Sequence, residues 1–186
     1  SVVRENRPSY LIFHDDVLTL HRKWLRQFTE LYRDRVGLPF VCNSVASALD
    51  ESCVRLLKEA GCREVLIGVE SGDQELRTKG LRRKMSDETI LNAFHLCEGS
   101  NIETSAYNMV GLPFENMGKA LRTIKLNAKA RPTNIQVSVF FPFPGTNLYE
   151  LCRQKNFLTS GHAASYFETS TISQPSISQE EVSFIS

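Results

Sequence analysis

Short apolar runs alternate along this chain with longer amphipathic stretches, the pattern of repeated strand–helix units around a parallel sheet. Tyr10-Leu11-Ile12-Phe13 reads as a short strand. Residues 20–36 then place Trp24, Phe28, Leu31 and Tyr32 at helical spacing, and Gly37 stands where helices end. A second strand is predicted over 39–45. Asp50 occupies an N-cap position ahead of Val54, Leu56, Leu57 and Ala60, and Gly61 closes that helix. Val65-Leu66-Ile67-Gly68-Val69 is a continuous apolar run, which predicts a strand buried on both faces. Ser86 heads the next helix, Thr89 leaves its capping box incomplete, and Ile90, Leu91, Phe94 and Leu96 give it an apolar face. A fourth strand over 102–110, a helix over 116–130 and a fifth strand over 135–141 continue the pattern.

Each strand-to-strand step is roughly 25 to 35 residues, the size of a βαβ crossover. Five such units form either an open doubly wound sheet or part of a closed barrel, and periodicity alone does not choose. Beyond residue 156 the composition shifts to Ser, Thr, Gln and Glu without a strong period. The expectation is therefore an α/β body over 1–158 and a separate, weakly specified extension over 159–186.

Composition narrows the class. With 186 residues, 41% hydrophobic and 23% charged, the chain has the make-up of one ordinary globular domain. Lys and Arg number 22 against 21 Asp and Glu, so no global field calls for a polyphosphate partner, and nucleic acid is unsupported. No run approaches the ~20 apolar residues of a membrane span, and the opening Ser-Val-Val-Arg-Glu-Asn lacks signal-peptide architecture. A cytoplasmic protein is expected. The five cysteines, Cys42, Cys53, Cys62, Cys97 and Cys152, are odd in number, widely spaced and form no Cys-x-x-Cys cluster. They read as bland thiols in a reducing compartment, with Cys42 alone expected near the strand ends. His14, His21, His95 and His162 have no metal-ligand spacing; His95 reads as structural, while His14 borders the first strand end.

In parallel α/β architectures ligands gather at the carboxyl ends of the strands. Polar residues or glycines follow every apolar run here. The first strand ends in His14-Asp15-Asp16, the second holds Cys42-Asn43-Ser44, the third ends in Gly68-Val69-Glu70-Ser71-Gly72, the fourth in Gly111-Leu112-Pro113-Phe114-Glu115 and the fifth in Pro142-Phe143-Pro144-Gly145-Thr146. Singly these signals are weak. Asp15 suits a helix cap as well as a ligand. Gly68, Gly72 and Gly111 permit close backbone approach but also serve turns, as do Pro113, Pro144 and Gly145. Glu70 is harder to explain away, because a carboxylate after an apolar strand must be solvated or specifically paired.

The ordered set resembles the radical S-adenosylmethionine (radical SAM) superfamily. It consists of Phe13-x-Asp15-Asp16, then Ala60-Gly61-Cys62 leading into Ile67-Gly68-Val69-Glu70-Ser71-Gly72, then Val110-Gly111-Leu112-Pro113-x-Glu115, then Pro142-x-Pro144-Gly145-Thr146-x-Leu148-Tyr149. The resemblance covers about residues 8–158 and is nearest to the branch whose members often carry an upstream cobalamin-binding domain.

It implies a partial (β/α)6 TIM-like barrel of parallel strands with outer helices, holding a 4Fe-4S cluster and S-adenosylmethionine across the strand ends. In such enzymes a Cys-x-x-x-Cys-x-x-Cys loop after the first strand ligates the cluster, and reductive cleavage yields a 5′-deoxyadenosyl radical or supports methyl or methylthio transfer. The first strand seen here corresponds to the family's second, so the cysteine loop is expected before Ser1 and no cluster is expected on this stretch alone. By resemblance, Asp15 and Asp16 receive the methionyl amine, in place of a Gly-Gly-Glu turn. Glu70 and Ser71 contact the ribose, and Gly111, Pro113 and Glu115 belong to the segment along the adenine and methionine. Asn43 is a further polar contact. A small-molecule substrate, an electron donor such as flavodoxin or ferredoxin, and cobalamin as an optional cofactor complete the implication. Two other readings stand beside it: a cluster-free barrel with Asp15, Asp16, Glu70 and Glu115 around a divalent metal, and a non-catalytic barrel that only binds. In the tail, Tyr166, Phe167 and Phe184 are expected to pack against the barrel.

Overall fold

The computed structural model describes residues 8–159 and 172–186; His162, Tyr166 and Phe167 lie outside the described residues. Five strands run in the order β1 (Leu11–Phe13), β2 (Phe40–Ser44), β3 (Cys62–Glu70), β4 (Glu103–Val110) and β5 (Asn134–Val139), and they form one parallel sheet in that same order. The order settles what periodicity left open. A doubly wound sheet reverses direction at a switch point, whereas 1-2-3-4-5 never does, which is the winding of a (β/α) barrel. Helices α1 (Arg22–Arg35), α2 (Glu51–Ala60), α3 (Asp87–Gly99) and α4 (Met117–Ala130) fill the crossovers, and α5 (Asn147–Gln154) follows β5.

Contacts group the chain into two compact units. One comprises Ser1–Gly68, Glu88–Ala106 and Ala130–Asn134, and the other Val69–Asp87, Tyr107–Lys129 and Ile135–Ser186.

In the first unit α1 buries Leu25, Thr29 and Tyr32, spaced i, i+4, i+7. Trp24 and Leu31, expected on that face, are 46% and 53% exposed. Trp24 instead stacks on Phe28 at 5.1 Å, and Phe28, Tyr32, Phe13 and Phe40 form an edge-to-face aromatic cluster where β1 meets β2. Asp50 caps α2 by accepting from Cys53 N–H at 2.8 Å, and Gly61 ends it in the left-handed conformation at φ 89°. β3 departs from its expected burial on both faces: buried Val65, Ile67 and Val69 alternate with half-buried Glu64, Leu66, Gly68 and Glu70 on the second face. Glu64 there accepts from Ser105 Oγ at 2.5 Å.

The second unit holds two apolar clusters. Leu76, Leu112, Phe140, Cys152, Phe157 and Ile172 form one, and Val110, Val139, Ile177 and Val182 the other. Ile172, Ile177 and Val182 come from the stretch read as a weakly specified extension. That stretch includes a short helix, α6 (Gln179–Ile185), opened by a complete capping box between Ser178 and Glu181. The end of the chain is therefore part of this unit's core, since three apolar side chains suffice to anchor a segment whose overall composition is polar. Phe184, expected to pack, is 85% exposed.

Candidate functional site at the strand ends

In the first unit Asp15 and Asp16 lie exposed in the turn after β1. Asp15 is not a helix cap, because α1 starts after His21 and has no side-chain cap. The structure brings Asn43 to this turn. Its Nδ2 donates to the Asp15 carbonyl at 3.0 Å and its own carbonyl accepts from Leu18 N–H at 3.2 Å, so the end of β2 holds the acidic turn from both ends. Thr19 and Ser44, buried just beyond, share a hydroxyl hydrogen bond of 2.6 Å. His14 is exposed beside the turn, and His95 is exposed on α3 instead of taking a structural place in the core.

Cys42 does not lie free at the strand end. It is fully buried, and its Sγ is 4.0 Å from Cys62 Sγ. Cys53 and Cys97 are buried in the core of the same unit. Burial pushes Cys53 up to about 11 and Cys97 up to about 12. The Cys62 thiol is raised first by its contact with Cys42 and then by burial. Phe40 pairs with Cys62 and Cys42 with Val65 across a register shift, so the two cysteines are not cross-strand partners. All five cysteines are free and buried. Accordingly, iodoacetamide at about pH 8 is expected to leave all five cysteines of the native chain unmodified until denaturant is added. Peptide mapping that finds any of them stoichiometrically alkylated in native protein would refute this.

In the second unit Glu70 ends β3 with φ 67°, a left-handed conformation that a non-glycine residue adopts at a cost of about 1 kcal/mol or more. Its carboxylate is mostly enclosed and pairs with Arg83 at 3.1 Å. Burial raises its proton affinity and the Arg83 charge opposes that. Ser71 is fully buried, its hydroxyl accepting from Asp73 N–H at 3.2 Å. Gly72 is required by packing: a Cβ at this position would stand 2.3 Å from the backbone of Arg122 and Thr123, and its N–H donates to Thr123 Oγ1 at 2.7 Å. Arg122 reaches back to Asp73 at 2.5 Å, so this strand end is fastened to α4.

Beneath it lies Arg77, with 0% exposure. Its guanidinium donates to the Ser71 carbonyl at 2.6 Å, to the Met85 carbonyl at 3.3 Å and to the Asp87 carboxylate. Sequence reasoning did not single out Arg77, Arg83 or Asp73. No local pattern marks which cation folds inward.

The residues 111–115 form a bent loop in which Gly111 and Phe114 take φ 79° and 64°. Pro113 is buried, and Glu115 is fully enclosed. Glu115 Oε2 accepts from the N–H of Gly111 at 2.6 Å and of Leu112 at 3.2 Å, while Oε1 has no partner among the described residues. Burial lifts this carboxyl to about 7; the two amides and Lys119 pull it down, and Asp73 pushes it up. A carboxyl raised in the folded state contributes stability that is fully present below its unfolded value of 4.5 and is lost as pH rises through about 7. The melting temperature is thus expected to fall between about pH 5 and pH 8, and Glu115→Gln to flatten that fall, leaving the smaller same-direction contribution of Glu70. Identical slopes in the two proteins would contradict this.

Among the described residues no group of three His, Cys, Asp or Glu could hold a metal ion, so the carboxylate metal site considered from the sequence is not formed. Glu70 and Glu115 are instead engaged by Arg83 and by backbone amides. Nor is any described helix long and apolar enough to cross a membrane.

Comparison with known proteins places this geometry. The family model described as the radical SAM superfamily matches residues 3–126. The chain is 22% identical over 147 residues to an uncharacterised methyltransferase of Pyrococcus horikoshii, aligning 78% of this chain with 32% of that protein. Among solved structures it resembles the radical S-adenosylmethionine methyltransferase TsrM from Kitasatospora setae, determined with cobalamin and a [4Fe-4S] cluster bound. That likeness has a TM-score of 0.72 and 19% identity, and covers 86% of this chain and 31% of that one. It also resembles the radical SAM enzyme HemN, coproporphyrinogen III oxidase of Escherichia coli, with a TM-score of 0.70 and 14% identity over 94% of this chain and 38% of that one. The chain spans about a third of the length of these relatives. The matched stretch contains β1 to β4 and every strand-end residue from Asp15 to Glu115, and with the uninterrupted parallel winding it leads to one conclusion: this chain belongs to the radical SAM superfamily.

Proposed function

We propose that this chain holds S-adenosylmethionine in a radical SAM enzyme that carries out a methyl-transfer or related group-transfer reaction on a small molecule. The observation that carries the reading is the family match over residues 3–126, within which the first four polar strand ends fall. Bound there, S-adenosylmethionine supplies an activated methyl or 5′-deoxyadenosyl group. The exposed carboxylates of Asp15 and Asp16 suit a methionyl ammonium group, and Asn43 fixes the turn that carries them. Glu70 accepts from the two ribose hydroxyls, with Ser71 setting the backbone beside it. Residues 111–115, including Gly111, Pro113 and Glu115, offer a firmly held backbone edge to adenine and methionine. Glu115 works from beneath, through the amides it accepts.

The 4Fe-4S cluster that the family implies takes its ligands elsewhere than from the described cysteines, which are buried and form no metal-binding group of three. Cobalamin as a further cofactor of the whole protein is supported by the likeness to TsrM. A reductant such as flavodoxin or ferredoxin completes the reading.

Calorimetric titration of S-adenosylmethionine into the full-length protein tests the proposal. Saturable binding is expected, weakened at least tenfold when Asp15→Asn and Asp16→Asn are combined. Absence of saturable binding to the unmodified protein would overturn the reading.

A further inference from the structure

The loop of residues 111–115 is gripped from a place remote in sequence. Gln174 uses both ends of its carboxamide on it: Nε2 donates to the Leu112 carbonyl at 2.8 Å and Oε1 accepts from Phe114 N–H at 2.7 Å. Those two groups, a carbonyl and the N–H two residues on, are what a neighbouring strand would satisfy, so one side chain replaces a strand edge. Ser176 Oγ donates to the same Oε1 at 3.1 Å and orients the amide. From the other side Glu115 takes the N–H groups of Gly111 and Leu112, and Lys119 Nζ donates to the Phe114 carbonyl at 3.2 Å.

The placement of Gln174 is itself determined. Ile172 and Ile177 on either side are buried in the two apolar clusters of this unit, and bridges join Leu158 to Ile172 and Gln174 to Ile177. Gln174 is buried as well. Losing its side chain would leave the buried Leu112 carbonyl and the part-buried Phe114 N–H without partners, at a Phe114 already held in the left-handed region, and the loop would relax to another shape.

From this we infer that Gln174 is a positioning residue, through which the C-terminal segment sets the shape of the 111–115 loop and hence the affinity for S-adenosylmethionine. The inference rests on the reading above, in which that loop lies along the adenine and methionine.

The test uses the full-length protein and three variants. Gln174→Leu removes both hydrogen bonds at similar volume. Gln174→Glu, ionised, keeps the acceptor for Phe114 N–H and loses the donor. Val54→Ala, buried on α2 in the first unit and outside both apolar clusters that hold the loop and Gln174, lowers stability without touching the loop. Affinity for S-adenosylmethionine, the melting temperature and amide exchange at Phe114 are measured on each. Expected are a loss of affinity of about tenfold in Gln174→Leu with faster Phe114 exchange, a smaller loss in Gln174→Glu, and unchanged affinity in Val54→Ala despite its lower melting temperature. Wild-type affinity in Gln174→Leu would overturn the positioning role, as would an equal loss in Val54→Ala. Should Gln174→Leu not fold, Gln174→Glu decides by the same criteria. If the unmodified protein binds no S-adenosylmethionine, the functional reading fails separately, and unaltered Phe114 exchange in the Gln174 variants would then refute the clamp.

Discussion

Glu70→Gln in the full-length protein is expected to weaken S-adenosylmethionine binding by roughly 10- to 100-fold while leaving the fold in place, the scale set by charge-assisted hydrogen bonds of about 1.5–3 kcal/mol. The substitution keeps size and acceptor oxygen and removes charge. Two observations make the position informative. The residue sits at φ 67°, in a conformation that only its surroundings sustain, and its carboxylate is enclosed against Arg83. The ion pair supplies a competing account. If pairing with Arg83 is the whole role of Glu70, then Glu70→Gln and Arg83→Gln should each lower the melting temperature and both should keep wild-type affinity. A titration and a melting curve on each variant separate the accounts, and unchanged affinity in a destabilised Glu70→Gln protein would sink the ribose role.

Gly72→Ala is expected to be severely damaging for a single added methyl group. The new Cβ would stand 2.3 Å from three backbone atoms of α4, at Arg122 and Thr123, and backbone cannot step aside as a side-chain tip can. Overpacking of this kind costs typically up to about 3 kcal/mol and occasionally more, a fall of roughly 6 to 12 °C in melting temperature for a chain of this size. The displacement would also pull on the Gly72–Thr123 and Asp73–Arg122 contacts, so the loss of stability should be accompanied by faster amide exchange at Gly72. A melting temperature within about 2 °C of wild type would show that α4 yields easily and that Gly72 is required for something other than helix–strand packing.

Both positions show how far the sequence could be read. The polar residues after each apolar run, from Asp15 to Glu115, were legible because parallel strands must expose their carboxyl ends and the chain marks each end with a carboxylate, an amide or a glycine. Their division of labour was not. Gly72, read as permitting close ligand approach or serving a turn, packs its backbone against a helix. Glu115, read as a contact, faces inward to two amides, and Cys42, read as near the site, is in the core against Cys62. Arg77 left no sequence signal, because one buried arginine among a run of cations differs from its neighbours only in what surrounds it.

What the sequence by itself determined is what local physics decides: five strands from apolar runs, helices from 3.6-residue spacing and from caps at Asp50 and Gly61, and the crossover lengths that make the strands parallel. Strand order was not in the periodicity, which is the same for a sheet that reverses and one that does not; the barrel winding that the strand-end motifs implied by resemblance was decided by the tertiary structure. The same holds for the end of the chain. Ile172, Gln174 and Ile177 stand among serines and glutamates with no period to announce them, and they become core and clamp because the apolar clusters and the bent 111–115 loop are there to receive them.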